Sequence, residues 1–274
     1  LVSPVAQQMV FEDENRTRFT RCAVLLPTVD SMKDGHVALG KTLYGSIIDE
    51  VSRQTGQGKS LINETLMAGI SGQYKPIPGD EALSRKLAIF SATFIAGHEA
   101  GHCAYLSRNS IVDGSIEANA FVDLEAFPDI SGARQALLSA QSDDDRHQII
   151  RWLDLFADQR LQTALATLIE LEQKLDNIHP DNASEKSLEV NALLGQMRPY
   201  ERAAYAMKGF LSAYRESSSI LSSPLTGELT NQYLAVGEMI SQQQNEGLYN
   251  AIESSRRDLG RRIEEIEKRP SVSS

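Results

Sequence analysis

The apolar positions of this chain recur mostly at helical spacing. Leu39, Leu43, Ile47, Ile48 and Val51 fall on one stripe and predict a helix from about Val37 to Arg53, stopped by Gly56-Gln57-Gly58. Asp80 stands at an N-cap, with Glu81 in the first turn where the helix dipole favours acid, and opens a long helix to about Ser107. Asp143-Asp144-Asp145 marks the start of another, from about Asp144 to Leu175. After His179-Pro180-Asp181-Asn182 the pattern is wholly helical: Ser184 to Met197, Pro199 to Arg215, Leu225 to Gln244 and Glu246 to Lys268, then a frayed tail from Ser271 to Ser274.

Weaker signals lie between these segments. Ser115 to Leu124 reads as a short helix, ended by Pro128. Residues 1–35 read as irregular or extended, with a strand candidate at Cys22 to Pro27, and Ile70 to Gly79 as a loop with strand character. No internal repeat is visible. The expected fold is mainly α (α+β), with a small N-terminal β element and a C-terminal helical bundle. A boundary near 178–184 separates residues 1–178 from 179–274, and the two regions can also pack as one domain.

Composition narrows the class. With 274 residues, 41% of them hydrophobic and 23% charged, the chain has the make-up of a globular protein able to bury a core. No apolar run reaches the roughly 20 residues of a membrane span, so no integral membrane segment is expected. A net charge of −10 argues against nucleic acid as the partner. Two cysteines, Cys22 and Cys103, make no disulfide framework, and Cys103 is expected to pack as a small hydrophobe. The chain opens on Leu1, with no charged segment ahead of an apolar one. The expectation is a cytoplasmic protein without a signal peptide, processed or cut from something longer. The sequons at Asn15, Asn63 and Asn182 are accordingly expected to be unmodified.

The chemistry concentrates in His98-Glu99-Ala100-Gly101-His102, which reads H-E-x-x-H. Residues four apart share one helical face, so His98 and His102 can offer two imidazole nitrogens to one zinc ion. Glu99, directly after the first histidine, is placed to act as general base toward a zinc-activated water. The competing account is a buried amphipathic helix whose histidines only pack. A Glu between two histidines on an otherwise apolar helix is costly to bury without a metal or partner, which favours the metal.

A catalytic zinc needs a third protein ligand and an open position. Asp154 and Asp158 lie one turn apart in Trp152-Leu153-Asp154-Leu155-Phe156-Ala157-Asp158. This segment resembles the E-x-x-A-D helix of gluzincin-type zinc peptidases. The resemblance implies Asp154 as third ligand, an Asp where that family has Glu, and Asp158 as the acid that holds a ligand histidine in its tautomer. Glu117, Glu125 and His147 are the alternatives. Glu117 sits in Ile116-Glu117-Ala118-Asn119-Ala120-Phe121, which resembles the E-A-N-x-F run of phage-repressor-cleaving metallopeptidases, although their ligand Glu falls here on Ser115. The pentapeptide H-E-A-G-H is similar to that of FtsH-type proteases, whose third ligand is an Asp from a later helix. Their ATPase module is not evident: Gly35 to Thr42 fits G-x-x-x-x-G-K-T by letter, without the preceding buried strand.

The resemblance implies a zincin-like helical core and a zinc metallopeptidase, a hydrolase acting on a protein or peptide substrate. The C-terminal helices would form a cleft wall or a partner-docking surface, and Tyr105 and His147 are candidates to stabilise the oxyanion. Two other classes stay open. One is a non-catalytic helical scaffold that retains a zincin helix, and the other a metal hydrolase acting on non-peptide bonds, since the motif specifies water activation and not the bond cleaved.

Overall fold

The computed structural model describes residues 5–12, 18–25, 36–108, 125–177 and 183–268. Strands β1 (Val5–Glu12) and β2 (Arg18–Leu25) form an antiparallel pair, Val5 opposite Leu25 and Glu12 opposite Arg18. The strand expected at Cys22 thus starts four residues earlier. Eight helices follow among the described residues: α1 (His36–Thr55), α2 (Lys59–Ile70), α3 (Glu81–Arg108), α4 (Ala126–Leu138), α5 (Asp143–Asp176), α6 (Ala183–Glu216), α7 (Gly227–Gln244) and α8 (Glu246–Glu267). A 3-10 turn at Ser218–Leu221 joins α6 to α7. The protein is mainly α.

Local chemistry accounts for most boundaries. Asp80 caps α3, its Oδ1 accepting from the Leu83 N–H at 3.0 Å, and the Ser84 hydroxyl accepts from the Ile77 N–H at 2.7 Å. Ser142, one residue before the acidic triplet, caps α5 by accepting from the Asp145 N–H.

The predicted helix at Ser115–Leu124 lies outside the described residues. Four other expectations change. Pro128 does not end a helix; it sits in the first turn of α4, where its missing N–H has no intrahelical partner to lose. The segments predicted on either side of Met197 and Pro199 form one helix, α6, running through Pro199. The carbonyl that Pro199 frees belongs to Gly195, an exposed residue, so water can satisfy it. Helix α2 stands where the hydrophobic pattern predicted no element, its buried face interrupted by Asn63 and Thr65. Cys103 is disulfide-bonded rather than a packed free thiol; α3, which carries it, lies against the hairpin.

A continuous apolar cluster runs from Tyr44 and Ile47 on α1, through Phe90 and Phe94 on α3 and Trp152 and Phe156 on α5, to Phe210 on α6 and Ile263 on α8. The helices after residue 183 therefore share a core with those before 177. What positions the chemistry is the crossing of α3 and α4. A Cβ added to Gly97 would lie 2.7 Å from Gln135 Cγ, and one on Gly101 2.6 Å from Pro128 Cα. From the other side, a Cβ on Gly132 would lie 2.6 Å from the Phe94 carbonyl oxygen. Only glycine allows the backbones this close, and the closeness carries the start of α4 over the histidines of α3.

Candidate metal centre

His98 and His102 face each other one turn apart on α3, ring centroids 4.7 Å and Nε2 atoms 3.0 Å apart. Glu125, the residue at the N-cap of α4, lies across from them. Its carboxylate oxygens are 3.7 Å from His98 Nε2 and 3.9 Å from His102 Nε2. One ligand atom from each of the three falls within 4.8 Å of the others. A tetrahedral metal with bonds near 2.1 Å separates its donors by about 3.4 Å, and the observed separations bracket that value. The set of two imidazoles and one carboxylate suits zinc.

One turn into α4 from Glu125, Asp129 is fully buried. Its Oδ1 lies 2.8 Å from His98 Nδ1, and its Oδ2 lies 2.5 Å from an Arg160 guanidinium nitrogen on α5. A carboxylate holding a guanidinium is an acceptor, so Nδ1 of His98 is the donor and its Nε2 lone pair is left for a metal. Arg160 lies over the Phe156 ring, 4.5 Å from its centroid. The chain Arg160–Asp129–His98 thus fixes both the tautomer and the ring plane.

The electrostatics follow from burial and neighbours. Burial opposes charge on His98, but the Asp129 hydrogen bond and the Asp129 and Glu125 charges outweigh it and hold its pKa above the ordinary histidine value. Burial, then repulsion from His98, pulls His102 down to about 4, so it is neutral at physiological pH. Burial, then the Asp129 charge, pushes the Glu125 carboxyl up. Glu99 is buried, 7% exposed, and its charge also acts on Glu125. At the rim, Tyr200 of α6 is 49% exposed, with its ring centroid 5.3 Å from the Arg160 guanidinium. Burial and the Glu125 charge raise its pKa, so it remains a hydroxyl donor.

The structure brings His98, His102 and Glu125 together, and Glu125 was one of the alternatives. Asp154, the expected third ligand, and Asp158, the expected acid behind a ligand histidine, stand elsewhere. Asp154 is ion-paired to Arg215 and Asp158 to Lys208, at 2.6 Å, on the part of α5 that packs toward α6. The histidine that needs an acid takes Asp129 instead. His147 is exposed and lines a separate cavity with Tyr214 and Arg215. Glu117 and the Tyr105 side chain lie outside what is described. Sequence reasoning missed Asp129, Arg160 and Tyr200. For Asp129 a signal existed: Glu125-Ala126-Phe127-Pro128-Asp129 has the E-x-x-x-D spacing sought at Asp154.

Compared with known proteins, the chain matches no protein-family model, and no curated protein or solved structure matches it. Fold and site together define a mainly helical protein with a His-His-Glu group that could hold a metal ion. Among the described residues no helix is long and apolar enough to cross a membrane.

Proposed function

We propose that this chain is a zinc-dependent metallopeptidase in which His98, His102 and Glu125 hold the metal and Glu99 handles the proton. The observation that carries this reading is the convergence of three donors with Asp129 locking the tautomer of the first. H-E-x-x-H followed by E-x-x-x-D has the gluzincin pattern, now at Glu125 and Asp129. Bound zinc would supply Lewis acidity and lower the pKa of a water to about 7. Glu99, buried beside His98, would accept the proton of the attacking water and deliver it to the leaving amine. Tyr200, protonated and half exposed at the rim, would donate a hydrogen bond to the carbonyl oxygen of a protein or peptide substrate as negative charge gathers there.

Metal analysis combined with two variants tests this. The expected result is one zinc per chain in the wild type, loss of that zinc in Glu125→Ala, and full zinc with lost peptidase activity in Glu99→Gln. A wild-type chain that takes up no zinc would overturn the proposal in favour of a non-catalytic scaffold. Zinc binding without cleavage of any peptide library would point to a different scissile bond.

A further inference from the structure

Arg160 has more hydrogen-bonding capacity than Asp129 uses. A guanidinium spreads its N–H donors over three nitrogens in a fixed plane. One nitrogen binds Asp129 at 2.5 Å, and among the described residues the other two have no acceptor. They are not sealed in: the side chain is 13% exposed, and its nitrogens, unlike the enclosed Tyr44 hydroxyl, keep contact with solvent. Two rings fix the plane, with centroids 4.5 Å (Phe156) and 5.3 Å (Tyr200) from the guanidinium carbon. Asp129 is fully buried, so the edge it holds points inward. The unused edge is the one left to solvent, beside the half-exposed Tyr200 at the rim.

Its distance from the metal ligands is bounded too. His98, Asp129 and Arg160 form one hydrogen-bonded chain with links of 2.8 and 2.5 Å. Followed through the imidazole and the carboxylate, that chain puts the guanidinium no more than about 10 Å from His98 Nε2, the span of roughly three residues of extended peptide. The Arg160 charge also acts on His102, Glu125 and Tyr200, so it is felt on the ligand side of the histidines as well as behind them. An unshared, partly desolvated guanidinium edge is built to take a carboxylate through two parallel N–H···O bonds, and one guanidinium can serve two carboxylates at once, one on each edge. We propose that Arg160 anchors a carboxylate of the peptide substrate within about three residues of the scissile bond, a specificity that rests on the metallopeptidase reading. Two sources share this chemistry. The α-carboxylate of a chain end would make the protein a remover of C-terminal residues, and an Asp or Glu side chain would make it an endopeptidase that cuts beside acids.

The test begins with a peptide that the zinc-loaded wild type cleaves, taken from a mixed library with free carboxyl termini. If no member is cleaved, the metallopeptidase reading itself fails and the substrate anchor falls with it. The chosen peptide is then bound, uncleaved, to the full chain carrying Glu99→Gln and followed by calorimetry in three forms: as it stands, with its C-terminus amidated, and with each acidic side chain near the cut replaced by its amide. One of the two neutralisations should weaken binding at least about tenfold, and which one does so identifies the source. Adding Arg160→Lys keeps a positive charge for Asp129 but removes the fork, so the same ratio should shrink to below about threefold. A general loss from loosening Asp129 acts on every form alike and cancels in that ratio. Cleavage without any effect of either neutralisation would overturn the anchor while leaving the peptidase standing, and that comparison needs no change at Arg160. A ratio that survives Arg160→Lys intact would overturn it as well.

Discussion

Replacing Asp129 with Asn preserves shape and removes one charge, and the structure says what this should cost. In the native chain Oδ1 accepts from His98 and Oδ2 from Arg160, with Asp129 fully buried. In Asp129→Asn, one side-chain atom becomes an N–H donor facing either the guanidinium or the imidazole N–H. Two donors then oppose each other, and Arg160, 13% exposed, loses its counter-ion. Breaking a buried pair by removing one partner costs about 3–5 kcal/mol. Partial exposure of Arg160 and its stacking on Phe156 argue for the lower end, about 3 kcal/mol. Zinc affinity should fall separately by about 10–100-fold, because His98 loses the acceptor that sets its tautomer and basicity. Urea unfolding in the presence of a chelator isolates the first effect, and competition with a chromophoric chelator at fixed pH measures the second. Stability within about 0.5 kcal/mol of wild type together with unchanged zinc affinity would refute the reasoning.

Other outcomes separate the two candidate third ligands. Asp154→Ala should leave zinc stoichiometry intact and cost about 0–1 kcal/mol, the range of a surface ion pair, whereas Glu125→Gln should abolish tight binding; metal analysis of both reads the difference. Gly101→Ala drives a Cβ to 2.6 Å from Pro128 Cα, so the helices must part; about 1–3 kcal/mol of destabilisation by overpacking is expected, with weaker zinc binding than in the similarly small change Ala100→Ser on the exposed face. In the metal-free protein the two histidines should titrate apart. Asp129 and Glu125 keep His98 protonated above its ordinary range, while burial and the His98 charge hold His102 neutral until about pH 4. Ring-proton NMR shifts should show this split, and in Asp129→Asn the upper titration should move down; coincident titrations near the ordinary histidine value would contradict the geometry.

How much of this was legible in the chain depended on how one proline was read. The motif helix was visible from its cap at Asp80, and its two histidines do meet. In the sequence Pro128 reads as a terminator, because proline inside a helix usually is one. In the first turn of a helix it breaks nothing, and α4 begins two residues before it. Once α4 is placed there, Glu125 and Asp129 are one turn apart and the site follows. Without α4, the best-spaced acids are Asp154 and Asp158, whose partners Arg215 and Lys208 lie 61 and 50 residues further on. No local pattern reveals an ion pair of that separation. Arg160 and Tyr200 were hidden for the same reason, since their proximity to Asp129 exists only after α5 and α6 pack. The Gly97 and Gly101 contacts show the converse: both glycines were in view, but what they permit is known only when α4 lies across them.

The charges at the centre bear on which ion it would hold. Glu99, Glu125 and Asp129 contribute three negative charges, and Arg160 returns one, leaving two when both histidines are neutral. Arg160 is ion-paired with Asp129, and the Glu125 carboxylate lies on the side of the histidine Nε2 atoms, where the Glu99 charge also acts on it. Burial first, and then the Asp129 charge, raises the pKa of Glu125, while the Asp129 hydrogen bond and the Asp129 and Glu125 charges outweigh burial and keep that of His98 above the ordinary value. A divalent ion would offset the two charges and displace the protons those groups hold on binding. A monovalent ion would not, and an all-oxygen-seeking ion such as magnesium would make poor use of two imidazoles. The measurable consequence is proton release that grows as pH falls below neutral, because the raised pKa values of His98 and Glu125 bring protons to the site before the metal arrives. Calorimetric zinc titrations in buffers of different ionisation enthalpy count those protons, and zero release at pH 5.5 would mean that the metal does not bind through these residues.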